Sequence, residues 1–186
     1  MRSTLQALTC LLVVALPAAP AWGRASAPPA LKRAAVGRCP DAKIVATPAT
    51  TARHVRATFC LLNRARAFRG LRPLRGNVRL GAAAGAYSRD MVVRGFFDHV
   101  SPEGSTPESR ARSAGYGGAR MSAAETICWG AGPESTPAAI VRSWLASPDH
   151  RDIVLEPGFR EIGIGVAPGG EPEDGATVVA TFGARG

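Results

Sequence analysis

Histidine, cysteine and acidic side chains are scarce in this chain. Three of its 186 residues are histidine, four are cysteine, and 14 acids stand against 23 lysines and arginines. Three histidines restrict imidazole chemistry near neutral pH, whether metal binding or proton transfer, to three positions. Beyond the N-terminal region no apolar run approaches the roughly 20 residues of a membrane-crossing helix, so the mature chain is expected to have no transmembrane span. There is no internal repeat and no nucleic-acid motif. The formal charge of +9 is mostly arginine, scattered, with modest clustering between Arg64 and Arg79. It suits anionic cell-envelope polymers or lipid headgroups as long-range partners, and not nucleic acid.

The one apolar run is N-terminal. Arg2 precedes Leu5 to Ala18, which contains Leu11-Leu12-Val13-Val14-Ala15-Leu16. Small residues for cleavage follow at Ala21-Trp22-Gly23 and Ala25-Ser26-Ala27. Residues 1–27 therefore read as a secretory signal peptide, and the protein is expected to be exported. Cys10 lies before most of the apolar core, the wrong side for a lipid-modified cysteine. Alanine, arginine, glycine and proline abound, as in chains from GC-rich bacterial genomes.

Export makes disulfides possible. Removing the signal leaves Cys39, Cys60 and Cys128. Cys39 and Cys60 are the favoured pair because they bracket one flexible segment. Closing a loop of that size is worth about 3 kcal/mol in the chain-entropy model. Cys128 sits in the apolar run Ala124-Glu125-Thr126-Ile127-Cys128-Trp129, which suits a buried thiol better than an exposed, reactive one.

Residues 28–51 are rich in alanine, proline and threonine and show no period, so they read as a linker or tail. Helical spacing starts with Val55, Phe59, Leu62 and Ala65, with Gly70 as a stop. Asn77 can cap a second helix. Its residues Leu80, Ala84, Tyr87 and Met91 step by four, three and four, and Gly95 ends it. Thr106-Pro107-Glu108 and Ser135-Thr136-Pro137 look like helix starts, with proline at the first helical position. Ser147-Pro148-Asp149 begins one more turn and places His150 within it. Glu125 to Trp129 reads as extended. Ile162, Ile164 and Val166 alternate with glycine. Val178, Ala180 and Phe182 alternate across a turn-rich segment, which predicts a C-terminal antiparallel hairpin. Helices first and strands last indicate an α+β fold or an α-β-α layered domain.

Two histidines lie in look-alike segments, Phe96-Phe97-Asp98-His99-Val100-Ser101-Pro102 and Trp144-Leu145-Ala146-Ser147-Pro148-Asp149-His150-Arg151. Between them come Gly115-Tyr116 and Glu125-Thr126-Ile127. Asn63-Arg64-Ala65-Arg66 and Gly70-Leu71-Arg72-Pro73-Leu74 precede them, and Ile162-Gly163-Ile164-Gly165-Val166 follows. In order and spacing these segments resemble the bacterial branch of the CAP superfamily (cysteine-rich secretory proteins, antigen 5, pathogenesis-related 1; SCP domains) over residues 55 to 184.

The resemblance implies a three-layer α-β-α sandwich over residues 52–186, with an open cleft on one side. It implies that His99 and His150 line the cleft and can hold a divalent cation, often zinc, and that Glu125 is the cleft carboxylate. Two departures stand out. Thr126 replaces the asparagine that usually follows the glutamate, which alters the hydrogen bonding that orients site groups. A second cleft glutamate has no counterpart near Trp144, where Ser143 and Ser147 stand. Glu134 and Asp149 are the nearest acids, and neither occupies the family position.

Two histidines fall short of the three protein ligands usual for catalytic zinc. The favoured expectation is a non-enzymatic, secreted binding module. Its cleft or an apolar groove would take a cation and a lipid, cell-envelope component or protein ligand. The alternatives are a metal-dependent peptidase with Glu125 as general base, and a structural envelope protein whose cleft is a relic. Ser101 and Ser147, each before proline, are expected to serve turns and caps and not as nucleophiles. Trp129 and Trp144 are expected in the core, and His54 on the surface.

Overall fold

A computed structural model describes residues 38–170 and 174–186. The expected signal peptide and Cys10 lie outside the described residues. Among those that are described, no helix is long and apolar enough to cross a membrane.

Helix α1 spans Thr51–Phe68 and ends before Gly70, whose φ of 68° only glycine adopts readily. Strand β1 is the two-residue Arg75–Gly76. Helix α2 spans Val78–Arg94, between the cap and stop read from the sequence. Asn77 Oδ1 accepts from the amides of Arg79 and Leu80, and Gly95 takes the left-handed conformation with φ 67°. Helix α3, Pro107–Ser113, opens on a reciprocal cap between Thr106 and Ser109. Strand β2 is Ser122–Ala131. A short 3-10 turn, Gly132–Ser135, leads into α4, Pro137–Ala146, capped by the Thr136 hydroxyl. Helix α5 is Pro148–Leu155. Strands β3, Glu161–Pro168, and β4, Gly175–Ala184, form the expected hairpin.

The sheet order is β1-β3-β4-β2. β1 runs parallel to β3, and the other pairings are antiparallel. β1 and β2 are thus the two edges of the sheet. Strand alternation sends opposite residues to opposite layers. Ile162, Ile164, Val178 and Phe182 pack with Leu62, Ile140, Trp144 and Val154 from α1, α4 and α5. Ile127 and Val179 face the other way and pack with Ala84, Tyr87 and Met91 from α2. The result is the α-β-α sandwich.

The glycines between Ile162, Ile164 and Val166 have a steric cause. A Cβ on Gly163 would lie 2.0 Å from the Leu80 carbonyl carbon, and one on Gly165 would lie 2.3 Å from that of Ala84. α2 therefore lies with its backbone flush on β3. Any side chain there would force the layers apart.

Residues 38–50 form turns and are tied to the domain. The Ala138 amide donates to the Ala42 carbonyl at 2.9 Å, and the Ala46 amide to Ser135 Oγ at 3.3 Å. Ala46 is itself buried in the α1-side core. Arg53 pairs with Asp41. Cys39 and Cys60 are disulfide-bonded, with Cα atoms 5.7 Å apart, which anchors the segment to α1. Cys128 is buried and outside that bond.

Candidate functional site

The sandwich leaves its two helical layers facing each other past the β2 edge, and this edge is where the chemistry-bearing residues meet. His99 comes from the loop after α2. His150 comes from the first turn of α5, in the opposite layer. Glu125 points from β2 itself. The two imidazole rings have centroids 6.4 Å apart, although 51 positions separate them in sequence. His99 is 39 % exposed at its side chain and Glu125 only 1 %.

The loop carrying His99 is held by side chains beneath it. Tyr87, on the inward face of α2, donates its hydroxyl to the Asp98 carbonyl at 2.6 Å. Burial pushes that phenol up to about 12, so it stays a donor at all physiological pH. Asp98 Oδ1 accepts from the Val100 amide at 2.9 Å. Ser101 Oγ accepts from the Ser105 amide and hydroxyl, which bears out its expected part in a turn.

Glu125 Oε1 receives two donors. His99 Nδ1 lies 3.1 Å away and Arg110 Nη2 lies 2.8 Å away. A carboxylate only accepts, so His99 Nδ1 carries a proton and donates it to Glu125, and in the neutral ring Nε2 keeps its lone pair. Arg110 is itself fixed. Its Nη2 also donates to the His99 carbonyl at 3.0 Å, its Nη1 to the Ser105 carbonyl at 2.6 Å, and its Cζ stacks 3.3 Å from the centre of the Tyr87 ring. A buried carboxylate requires such a partner. Sequence reading did not find it. The signal available was an inward-facing glutamate in an otherwise apolar strand, which demands a cation from somewhere in the fold.

His150 is buried, and its Nδ1 atom has no hydrogen-bond partner. Burial, together with the positive charge of a protonated His99, pushes its pKa below 6.5, while Asp149 opposes the shift. The neighbouring Ser147 hydroxyl is also buried and unpartnered. Ser147 does occupy the N-cap position of α5, but it makes no side-chain cap bond there, contrary to the expectation from sequence. Thr126 Oγ1, at the position of the usual asparagine, is likewise buried without a partner.

Two further expectations need correction. His54 is not on the surface but fully buried. Its Nε2 donates to the Ser135 carbonyl at 2.7 Å, and Thr58 lies 3.3 Å from Nδ1. It joins α1 to the turn before α4, and helical burial at that position was masked by the polar residues around it. Trp144 is core, with its indole donating to the Ile127 carbonyl at 3.1 Å. Trp129 instead is only partly buried. It lines a groove of about 730 Å³ with Met91, Phe96, Phe97 and Arg94.

The donor chemistry can be tested against a divalent cation. Two imidazoles suit one, and Nδ1 of His150 is buried with no hydrogen-bond partner among the described residues. A carboxylate–histidine pair, as at Glu125 and His99, also orients an imidazole for a metal. Yet among the described residues no three His, Cys, Asp or Glu side chains converge as ligands. The residues fit a cation held by His99 and His150, completed by water, with Glu125 behind His99. Glu134 does not approach this set and pairs with Arg142 at 3.4 Å.

Comparison with known proteins adds the family. YkwD of Bacillus subtilis (strain 168), described as uncharacterized, is 32% identical over 123 residues, covering 66% of this chain and 46% of its own. An extracellular protein containing an SCP domain from Bacillus anthracis str. Ames superposes with TM-score 0.63 at 26% identity, over 76% of this chain and 44% of that one. An outer surface protein of Borrelia burgdorferi shares the fold, with TM-score 0.60 at 19% identity over 69% and 90% of the two chains. The chain thus spans about half the length of the two Bacillus proteins. The model of the cysteine-rich secretory protein family, CAP, matches residues 59–182, so the chain belongs to that family.

Proposed function

We propose that the protein is an exported, non-enzymatic binding module. Its cleft holds a divalent cation, such as zinc, between His99 and His150, and the adjoining surface takes a lipid or cell-envelope ligand. Export is supported by the N-terminal signal-like segment and by the descriptions of its neighbours as extracellular or outer surface proteins.

One observation carries the preference for binding over catalysis. Peptidase chemistry on a metal-bound water needs a carboxylate able to take its proton. Among the described residues the carboxylate hydrogen-bonded at this pair, Glu125, is buried and already accepts from Arg110 and His99. Among the described residues no second carboxylate is hydrogen-bonded to His99 or His150. The groove lined by Phe96, Phe97, Trp129 and Met91, with Arg94 at its side, offers apolar surface for the aliphatic part of a lipid ligand.

The test is calorimetric zinc titration of the purified protein, His99→Ala and His150→Ala, together with peptide and cell-wall substrates. Zinc binding that both substitutions abolish, without turnover, is the expected result. Metal-dependent turnover that Glu125→Gln removes would overturn it.

A further inference from the structure

Arg110, on α3, is held on several sides beside the cleft. Its side chain is only 11 % exposed. It is gripped by the Ser105 carbonyl, the Ser105 hydroxyl, the His99 carbonyl and the face of Tyr87. These contacts fix its position independently of Glu125. A permanent positive charge therefore stands one hydrogen bond, 2.8 Å, from the buried carboxylate of Glu125.

That charge has a consequence for cations. A guanidinium remains protonated at any pH a protein survives. It neutralises Glu125 inside the protein and repels a second cation approaching the same oxygen. The carboxylate is turned into a support for His99 and is withheld from coordination.

We propose that Arg110 is a positioning residue that keeps Glu125 out of the coordination sphere and so holds the cleft to weak, two-histidine cation binding. The proposal rests on the reading that His99 and His150 hold a cation. Were the charge of Arg110 removed, Glu125 could turn toward the cation as a third protein ligand, the number usual for tightly held zinc.

The decisive measurement is zinc affinity in Arg110→Gln and Arg110→Met, beside the unaltered protein and the double variant Arg110→Gln/Glu125→Gln. Affinity should rise by about tenfold or more in the Arg110 variants, the scale on which groups behind the ligands tune a site. The double variant should return to weak binding. A gain that depends on Glu125 cannot come from loosened structure. Equal or weaker binding in folded Arg110 variants overturns the proposal while leaving the two-histidine reading intact. Zinc binding by the variants alone overturns the two-histidine reading and, with it, the weak binding that the proposal assigns to the unaltered protein. No binding by any of them overturns both.

Discussion

Two buried polar regions of this molecule are built on opposite terms. Beneath α1, the buried side chains of Arg66 and His54 are matched. Arg66 is fully buried, and its guanidinium donates to the carbonyls of Arg72, Val154, Glu156 and Phe159. His54 uses both ring nitrogens. At the β2 edge the matching is incomplete. His99 is partly exposed, and His150 Nδ1 and Ser147 Oγ are buried with no partner. Unmatched buried polar atoms cost stability. Their collection at one edge marks that edge as shaped for something other than folding.

The comparison breaks first if the region under α1 tolerates substitution. Arg66→Met leaves four carbonyls without their donor and should cost about 4 kcal/mol, roughly 1 for each acceptor. Urea unfolding measures it, and a loss below about 1 kcal/mol would mean that water replaces the guanidinium. Next in size is the disulfide. Cys60→Ser removes the covalent tie between residues 38–50 and α1 and should cost about 3 kcal/mol, read in the same assay with zinc affinity unchanged. An altered affinity would show that the two regions are coupled.

His54→Leu sharpens the contrast from the histidine side. It strands the Ser135 carbonyl and should cost about 2 kcal/mol. It should also change the response to acid. Burial lowers the folded pKa of His54 below its ordinary 6.5. The unfolded chain then binds more protons once the pH falls below that value. Stability is therefore full above it and declines as the pH drops toward the folded pKa. Urea midpoints at about pH 7.5 and 5.5 should differ less in His54→Leu than in the unaltered protein. An equal difference would assign the acid sensitivity elsewhere.

The same contrast explains what the sequence disclosed. α2 was legible end to end because its cap, its apolar steps and its terminal glycine are all local. The C-terminal hairpin was legible because alternation survives in Ile162–Val166 and Val178–Phe182. The two-residue strand β1 carries no period and was invisible. So was the docking of residues 38–50, which depends on single contacts such as Ala46 with Ser135. At the cleft, His99, Glu125 and His150 stood out by their motifs, and the fold brings them together. Arg110 did not stand out. Its role arises only when α3 crosses β2, and nothing in its own segment distinguishes it from other arginines. His54 was misjudged for the same reason, since its partner lies 81 positions away.

The smallest expected effect on stability is the sharpest test of the contrast. His150→Leu removes a buried ring whose Nδ1 has no partner, and replaces it with an apolar side chain. Losing a satisfied hydrogen bond is costly, but no such bond is lost at that atom, and apolar burial is gained. The net change should lie within about 1 kcal/mol of zero, well short of His54→Leu, while zinc binding disappears. His150 also shares the lowered pKa of His54, so the variant should lose some acid sensitivity too. If instead His150→Leu destabilises as much as His54→Leu, then His150 is a structural histidine and the β2 edge is matched after all, by contacts that water supplies.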